Sequence, residues 1–296
     1  MNRLFEMTQR AKRLPAAPVA ALLAILFVLI GQLIGAFIYS PLLILGALPD
    51  NTSPVGKALY LLVFFAINLT PTGLLLWAWV SLYEKRPLHT LGFEKNRGLS
   101  RFVHGLFMGT IMFLAVVLLL RITGSLQIGA FTWTALGGVL LVLPGWILQG
   151  SLEELVMRGW LMPVVGLRSR PWVGVLLSSL VFAVLHLLNP GVSLLSAINL
   201  ALAGLMFALV ALWEGGLWTA CGLHAAWNWV QGWLGFAVSG NLLKSPVLVQ
   251  LSTHGSPLFT GGAFGPEGGL PNTIVNLAAC LVFGWLIYRK NRKSGQ

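Results

Sequence analysis

Apolar residues along this chain fall in long continuous runs, broken by short polar or basic stretches. Crossing roughly 30 Å of hydrocarbon takes about 20 helical residues. Runs of about that length are read at Ala16 to Tyr39, Ala58 to Tyr83, Phe102 to Leu120 and Ala135 to Val165. Four more follow at Trp172 to Leu188, Leu194 to Trp213, Leu217 to Val238 and Thr273 to Tyr288. Barrel strands would instead alternate polar and apolar positions over about ten residues. The pattern predicts an all-α fold, a polytopic integral membrane bundle of about eight transmembrane helices.

Composition agrees. Of 296 residues, 57% are apolar and 9% charged, with a mean hydropathy of +0.83. Soluble domains carry about a quarter charged residues, so an ordinary soluble globule is excluded. Basic residues are retained on the cytoplasmic side of membranes, and eight spans make the connecting segments alternate sides. One side collects 16 of the 19 Lys and Arg residues, including Arg3 to Arg13, Lys85 to Arg101 and Arg289 to Lys293, while Lys57, Arg121 and Lys244 fall on the other. Both termini are therefore expected in the cytoplasm. The net charge of +11 is then a set of anchors facing anionic lipid. No separate basic domain stands apart from them, so a nucleic-acid partner is not expected. The first run, at about 24 residues, is longer than a signal-peptide core and reads as an uncleaved anchor. Cys221 and Cys280 both lie within runs and indicate neither a disulfide framework nor a CxxC metal site.

No soluble domain fits between the spans, so residues 1–296 read as one membrane domain. The segment Thr260 to Leu270, TGGAFGPEGGL, favours tight turns. It reads as a lid over the outer face with Glu267 at its tip, or as a flexible connector. Gly105 with Gly109, and Gly204 with Ala208, are spaced as small residues at close helix contacts are.

Polar groups inside the spans carry the candidate chemistry. An ionisable side chain in hydrocarbon costs at least about 2.5 to 3.5 kcal/mol on insertion scales, so each needs a partner or a function. Glu154 and Arg158, in SLEELVMRGW, are four apart and share a helix face. Adjacent Glu153 is turned about 100° away and lacks a local cation. A carboxylate so placed takes up a proton more readily, as a general base must. The competing reading is a single buried ion network joining all three. Phe182 and His186 are again four apart, as are His224 and Asn228. Taken alone, each pair reads equally as packing or interhelical hydrogen bonding. Their coincidence within about 75 residues, at overlapping depths counted at about 1.5 Å per residue, points to one site.

The ordered motifs EExxxR at Glu153, Glu154 and Arg158, FxxxH at Phe182 to His186 and HxxxN at His224 to Asn228 resemble the CPBP family. That family includes the type II CAAX prenyl endopeptidases and bacteriocin-processing and abortive-infection proteins. The resemblance covers about Gly145 to Trp229 and marks residues 135–238 as a catalytic core. It implies peptide-bond hydrolysis within the membrane, on a peptide or protein substrate that in one branch is prenylated. Glu153 and His186 would activate water, His224 and Asn228 would stabilise the oxyanion, and Glu154, Arg158 and Phe182 would support them. Two chemistries stay open: zinc or another divalent metal on Glu153, His186 and His224, or no metal, which the lack of an HExxH helix favours. A non-catalytic membrane scaffold or immunity protein using the same cavity is the alternative. A transporter is weaker, because no second copy of EExxxR marks a repeated half. The family's bacterial spread and the compact loops imply a bacterial inner membrane, with a eukaryotic organelle as the alternative.

The charge division generates a topology test. A reporter that matures only in the cytoplasm should be active when fused to either terminus. Activity of a reporter that matures only outside the cytoplasm, at either end, would overturn the orientation.

Overall fold

The computed structural model describes residues 2–94 and 98–294. Lys95 and Arg97, both counted in the basic tally, lie outside the described residues. A short helix α1 (Arg3–Thr8) precedes α2 (Ala17–Ile44) and α3 (Pro54–Ala78), and α3 continues as a π-helical segment at Trp79–Glu84. Next come α4 (Gly98–Ile122), strand β1 (Leu126–Phe131) and α5 (Leu136–Glu154). A second π-helical segment, Leu155–Leu161, joins α5 to α6 (Met162–Arg168). The chain then forms α7 (Pro171–Leu185), α8 (Leu194–Glu214), α9 (Trp218–Trp233), β2 (Val249–Thr253), α10 (Pro257–Thr260) and α11 (Leu270–Ser294).

Every predicted run is helical, and the bundle is a polytopic helical membrane protein. Six helices among the described residues are long and apolar enough to cross a membrane, with α5, its π segment and α6 counting as one. The other two, α7 and α9, have 15 and 16 residues, about 22 to 24 Å at helical rise. Such lengths fall short of the hydrocarbon core, and α9 is sheathed instead. Apart from Trp218, Trp229 and Trp233 all its residues are buried. This is how a helix carrying His224, Asn228 and Gln231 is tolerated in the bundle. The outward faces, by contrast, are apolar: Leu33, Phe37, Ile44, Ile111 and Leu281 are all exposed, as lipid contact requires.

Small residues set the closest contact. A Cβ placed on Gly105 or Gly109 of α4 would run into the carbonyl oxygens of Thr219 and Leu223 on α9, and one on Gly222 would meet the Phe102 carbonyl. The expectation for Gly105 and Gly109 holds, and Gly204 likewise lies against the Ser179 backbone of α7. Thus α4 fixes the position of α9 through backbone-to-backbone packing.

Three features were not expected from the pattern. The first is α1, which buries Leu4, Phe5 and Met7. The second is a two-stranded antiparallel ribbon pairing Leu126 with Thr253 and Ile128 with Leu251. The third corrects the account of Arg86 as a lipid-facing anchor. Its side chain is fully buried beside Glu84 at 2.6 Å and also donates to Thr8 Oγ1 and Thr90. Glu84 Oε1 in turn accepts from Trp160 Nε1 at 2.6 Å. Burial pushes the Arg86 guanidinium below the usual arginine range, and the Glu84 charge opposes that shift. The ion pair thus ties α1, the end of the first π segment and the second π segment together.

The α4 to α9 contact predicts that Gly109→Ile destabilises the protein by about 1 to 3 kcal/mol or more. Gly284→Ile, where a Cβ meets nothing within 4 Å, should be near neutral. Denaturant unfolding in detergent measures both, and equal losses would refute the contact.

Candidate active site

The predicted polar groups converge because α5 packs against α9, and α7 packs against α8 and the π segment that follows α5. Arg158, at the π segment after α5, donates from Nη1 to Glu154 Oε1 at 3.0 Å, and both side chains are fully buried. Its Nη2 donates to the Gly204 carbonyl of α8 at 2.9 Å. The guanidinium also lies over the Phe182 ring, 4.7 Å from the centroid. The predicted pairing is therefore present, and Phe182 covers it.

Glu154 Oε1 has a second partner, His224 Nδ1 at 2.9 Å. An ionised carboxylate only accepts, so Nδ1 carries the proton and donates. Stacking of the imidazole on Phe207, with centroids 4.6 Å apart and planes 18° from parallel, fixes the ring. Its Nε2 is then 3.7 Å from Glu153 Oε2, too far for a hydrogen bond. Glu153 Oε2 is buried and has no hydrogen-bond partner among the described residues.

The other oxygen of Glu153 is engaged. Gln149 Nε2, one turn earlier on α5, donates to Glu153 Oε1 at 2.6 Å. Gln149 Oε1 accepts from Asn228 Nδ2 at 2.8 Å. On α7, His186 follows the last helical turn, and its Nδ1 bonds the Phe182 carbonyl at 2.7 Å. A carbonyl only accepts, so Nδ1 donates and the neutral ring keeps its lone pair on Nε2.

Glu153, His186, His224 and Asn228 all line one cavity of about 470 Å³, together with Gln149, Phe182 and residues of α2 and α3 such as Gln32, Asn68 and Thr72. The four residues expected to form a site are thus brought together. One lining residue was missed by the motif reading. Gln149 is a neutral amide and escaped a search for ionisable groups, although it sits four residues before Glu153 and so on the same face. Glu267 lies outside this lining, and its surroundings also differ from the expectation. Instead of standing at a loop tip, its carboxylate accepts from Trp227 Nε1 and Gln231 Nε2 of α9, both at 3.0 Å, and from the Ser239 N–H at 2.5 Å. Four neutral donors, including Ser239 Oγ, replace the water that a tip position would have supplied.

Among the described residues no group of three or more His, Cys, Asp and Glu side chains could hold a metal ion. In the set Glu153, His186 and His224 suggested for a metal, the imidazole Nδ1 atoms are committed to Phe182 and Glu154 and Glu153 Oε1 to Gln149, which leaves Nε2 of each ring and Glu153 Oε2 as the remaining ligand atoms.

The bundle and its buried acid, imidazole and amide groups define an integral membrane protein with a polar cavity inside it. Residues 134–230, about a third of the chain, match the family described as type II CAAX prenyl endopeptidase Rce1-like, which supports the resemblance to the CPBP/CAAX protease family. Comparison with curated proteins and with solved structures yields no match.

Removing one member of a buried pair leaves the other charge uncompensated, at a cost of about 3 to 5 kcal/mol. Arg158→Met should therefore destabilise the protein by about that amount, and Glu154→Met with Arg158→Met should recover much of it. Equal losses in the single and double variants, measured by unfolding in detergent, would contradict the pairing.

Proposed function

We propose that this chain is an intramembrane endopeptidase that hydrolyses a peptide bond of a membrane-associated or lipidated substrate, with residues 135–238 as its catalytic core. The observation that carries the reading is the unpartnered Glu153 Oε2, buried and facing the His224 ring across the cavity. A carboxylate oxygen with no donor of its own is poised to take a proton.

In this scheme Glu153 Oε2 removes a proton from water, and the lone pair on His186 Nε2 helps to orient that water. The oxygen bonds to the scissile carbonyl carbon, and the carbonyl π electrons move to its oxygen. Asn228 Nδ2 and His224 Nε2 donate to this oxyanion, His224 acting as the imidazolium that Glu154 stabilises. Collapse of the intermediate breaks the C–N bond, and the leaving amine takes the proton held by Glu153. Arg158 neutralises Glu154, and Phe182 shields the pair from the cavity. The substrate is a peptide delivered from lipid; prenylation would suit the apolar Val28, Ala36, Phe64, Phe65 and Leu69 on the α2 and α3 walls. A bacterial inner membrane with both termini cytoplasmic completes the proposal, in line with the basic charge distribution.

Glu153→Gln and His186→Ala should each lower cleavage by at least about 100-fold while the protein still inserts and folds. Comparing membrane peptides in cells expressing wild type and Glu153→Gln reads this out. Full cleavage in either variant would sink the protease reading, and an unchanged cellular phenotype would favour a scaffold.

A further inference from the structure

We infer that Gln149 is a positioning residue that couples the base Glu153 to the oxyanion donor Asn228, a role that rests on the protease reading for its catalytic consequence. The geometry alone dictates the orientation of both amides. Glu153, as a carboxylate, offers only acceptors. Gln149 must therefore turn Nε2 towards it, at 2.6 Å, and this leaves Gln149 Oε1 facing the other way. Asn228 meets that oxygen at 2.8 Å and has to present Nδ2, because two carbonyl oxygens cannot bond. One N–H of Asn228 is consumed and the second remains for the cavity that Asn228 lines.

The ionised base thus determines which face of the Asn228 carboxamide meets the substrate. Without Gln149, Asn228 would be free to rotate about its last torsion and present Oδ1, an acceptor that repels an oxyanion. The same contact occupies Glu153 Oε1, so Oε2 alone is left to abstract a proton. One amide therefore selects the basic oxygen and orients the donor opposite it. Their separation along the chain, 79 residues between Gln149 and Asn228, means that the relay exists only while α5 and α9 stay packed.

Gln149→Leu keeps similar bulk and removes both hydrogen bonds. On a quenched farnesylated CAAX peptide in proteoliposomes it should lower kcat by about 10- to 100-fold, less than the roughly 100- to 1000-fold lost when an oxyanion donor is removed outright, with KM changed less than about threefold. In an Asn228→Ala background the same substitution should cost less than about threefold, since coupled residues are non-additive. A purely structural role would give equal factors in both backgrounds. A second measurement does not depend on proteolysis. With selective 15N-asparagine labelling, the Asn228 side-chain NH2 resonance, identified by its loss in Asn228→Ala, should move in Gln149→Leu. Gln149→Met serves in the same two assays if the leucine variant does not fold. An unmoved resonance, additive losses, or a kcat within about threefold of wild type would overturn the relay. If wild type cleaves no peptide, or Glu153→Gln cleaves as well as wild type, the protease reading fails while the resonance still decides the relay.

Discussion

A charge buried inside a membrane bundle has to be neutralised where it sits, and the Glu154 to Arg158 pair is where this protein meets that requirement. The guanidinium reaches a carboxylate one turn away, a backbone carbonyl of α8 and an aromatic face on α7. Three helices are thereby drawn to one point. Glu154 then has capacity to hold His224 through Nδ1, which brings α9 into the same cluster. The catalytic groups we propose are arranged around this neutralised pair, and none of them is part of it except through that imidazole.

The division of labour between adjacent glutamates follows from helix geometry. Neighbouring residues project about 100° apart, so one carboxylate enters the ion pair while the other meets the cavity. Glu153 remains partly accessible and is held by an amide rather than by a cation. Gln149 supplies direction without the charge, and the same amide reaches Asn228.

Rigidity comes from backbone contact and from a second buried ion pair. The glycines of α4 let α9 approach at backbone distance, so a helix too short to span is held inside longer ones. Away from the cavity, Glu84 ties Arg86 and Trp160 together at the two π-helical segments. Such segments add a residue per turn and are found at functional sites. Here one follows directly after Glu154 and sets the chain's course from the site to α6.

The helical bundle and the polar residues within its apolar runs were legible in the sequence because each depends on local composition or on a spacing of four within one helix. The Glu154 to Arg158 contact belongs to this class. Partners between helices were not legible. That His224 would choose Glu154, that Asn228 would reach Gln149 and that Glu267 would fold inward onto Trp227 all depend on which faces of α5 and α9 meet. Hydropathy carries no information on that rotation, since buried and lipid-facing positions in a membrane span are both apolar. Arg86 was misread for a related reason: a basic residue beside a span looks like an anchor until the fold places Glu84 and Trp160 around it. The sequence by itself determined which stretches are apolar enough for a membrane and which polar residues lie within them. Only tertiary packing decided which atom of each faces which, because hydrogen-bond direction is set by partners on other helices.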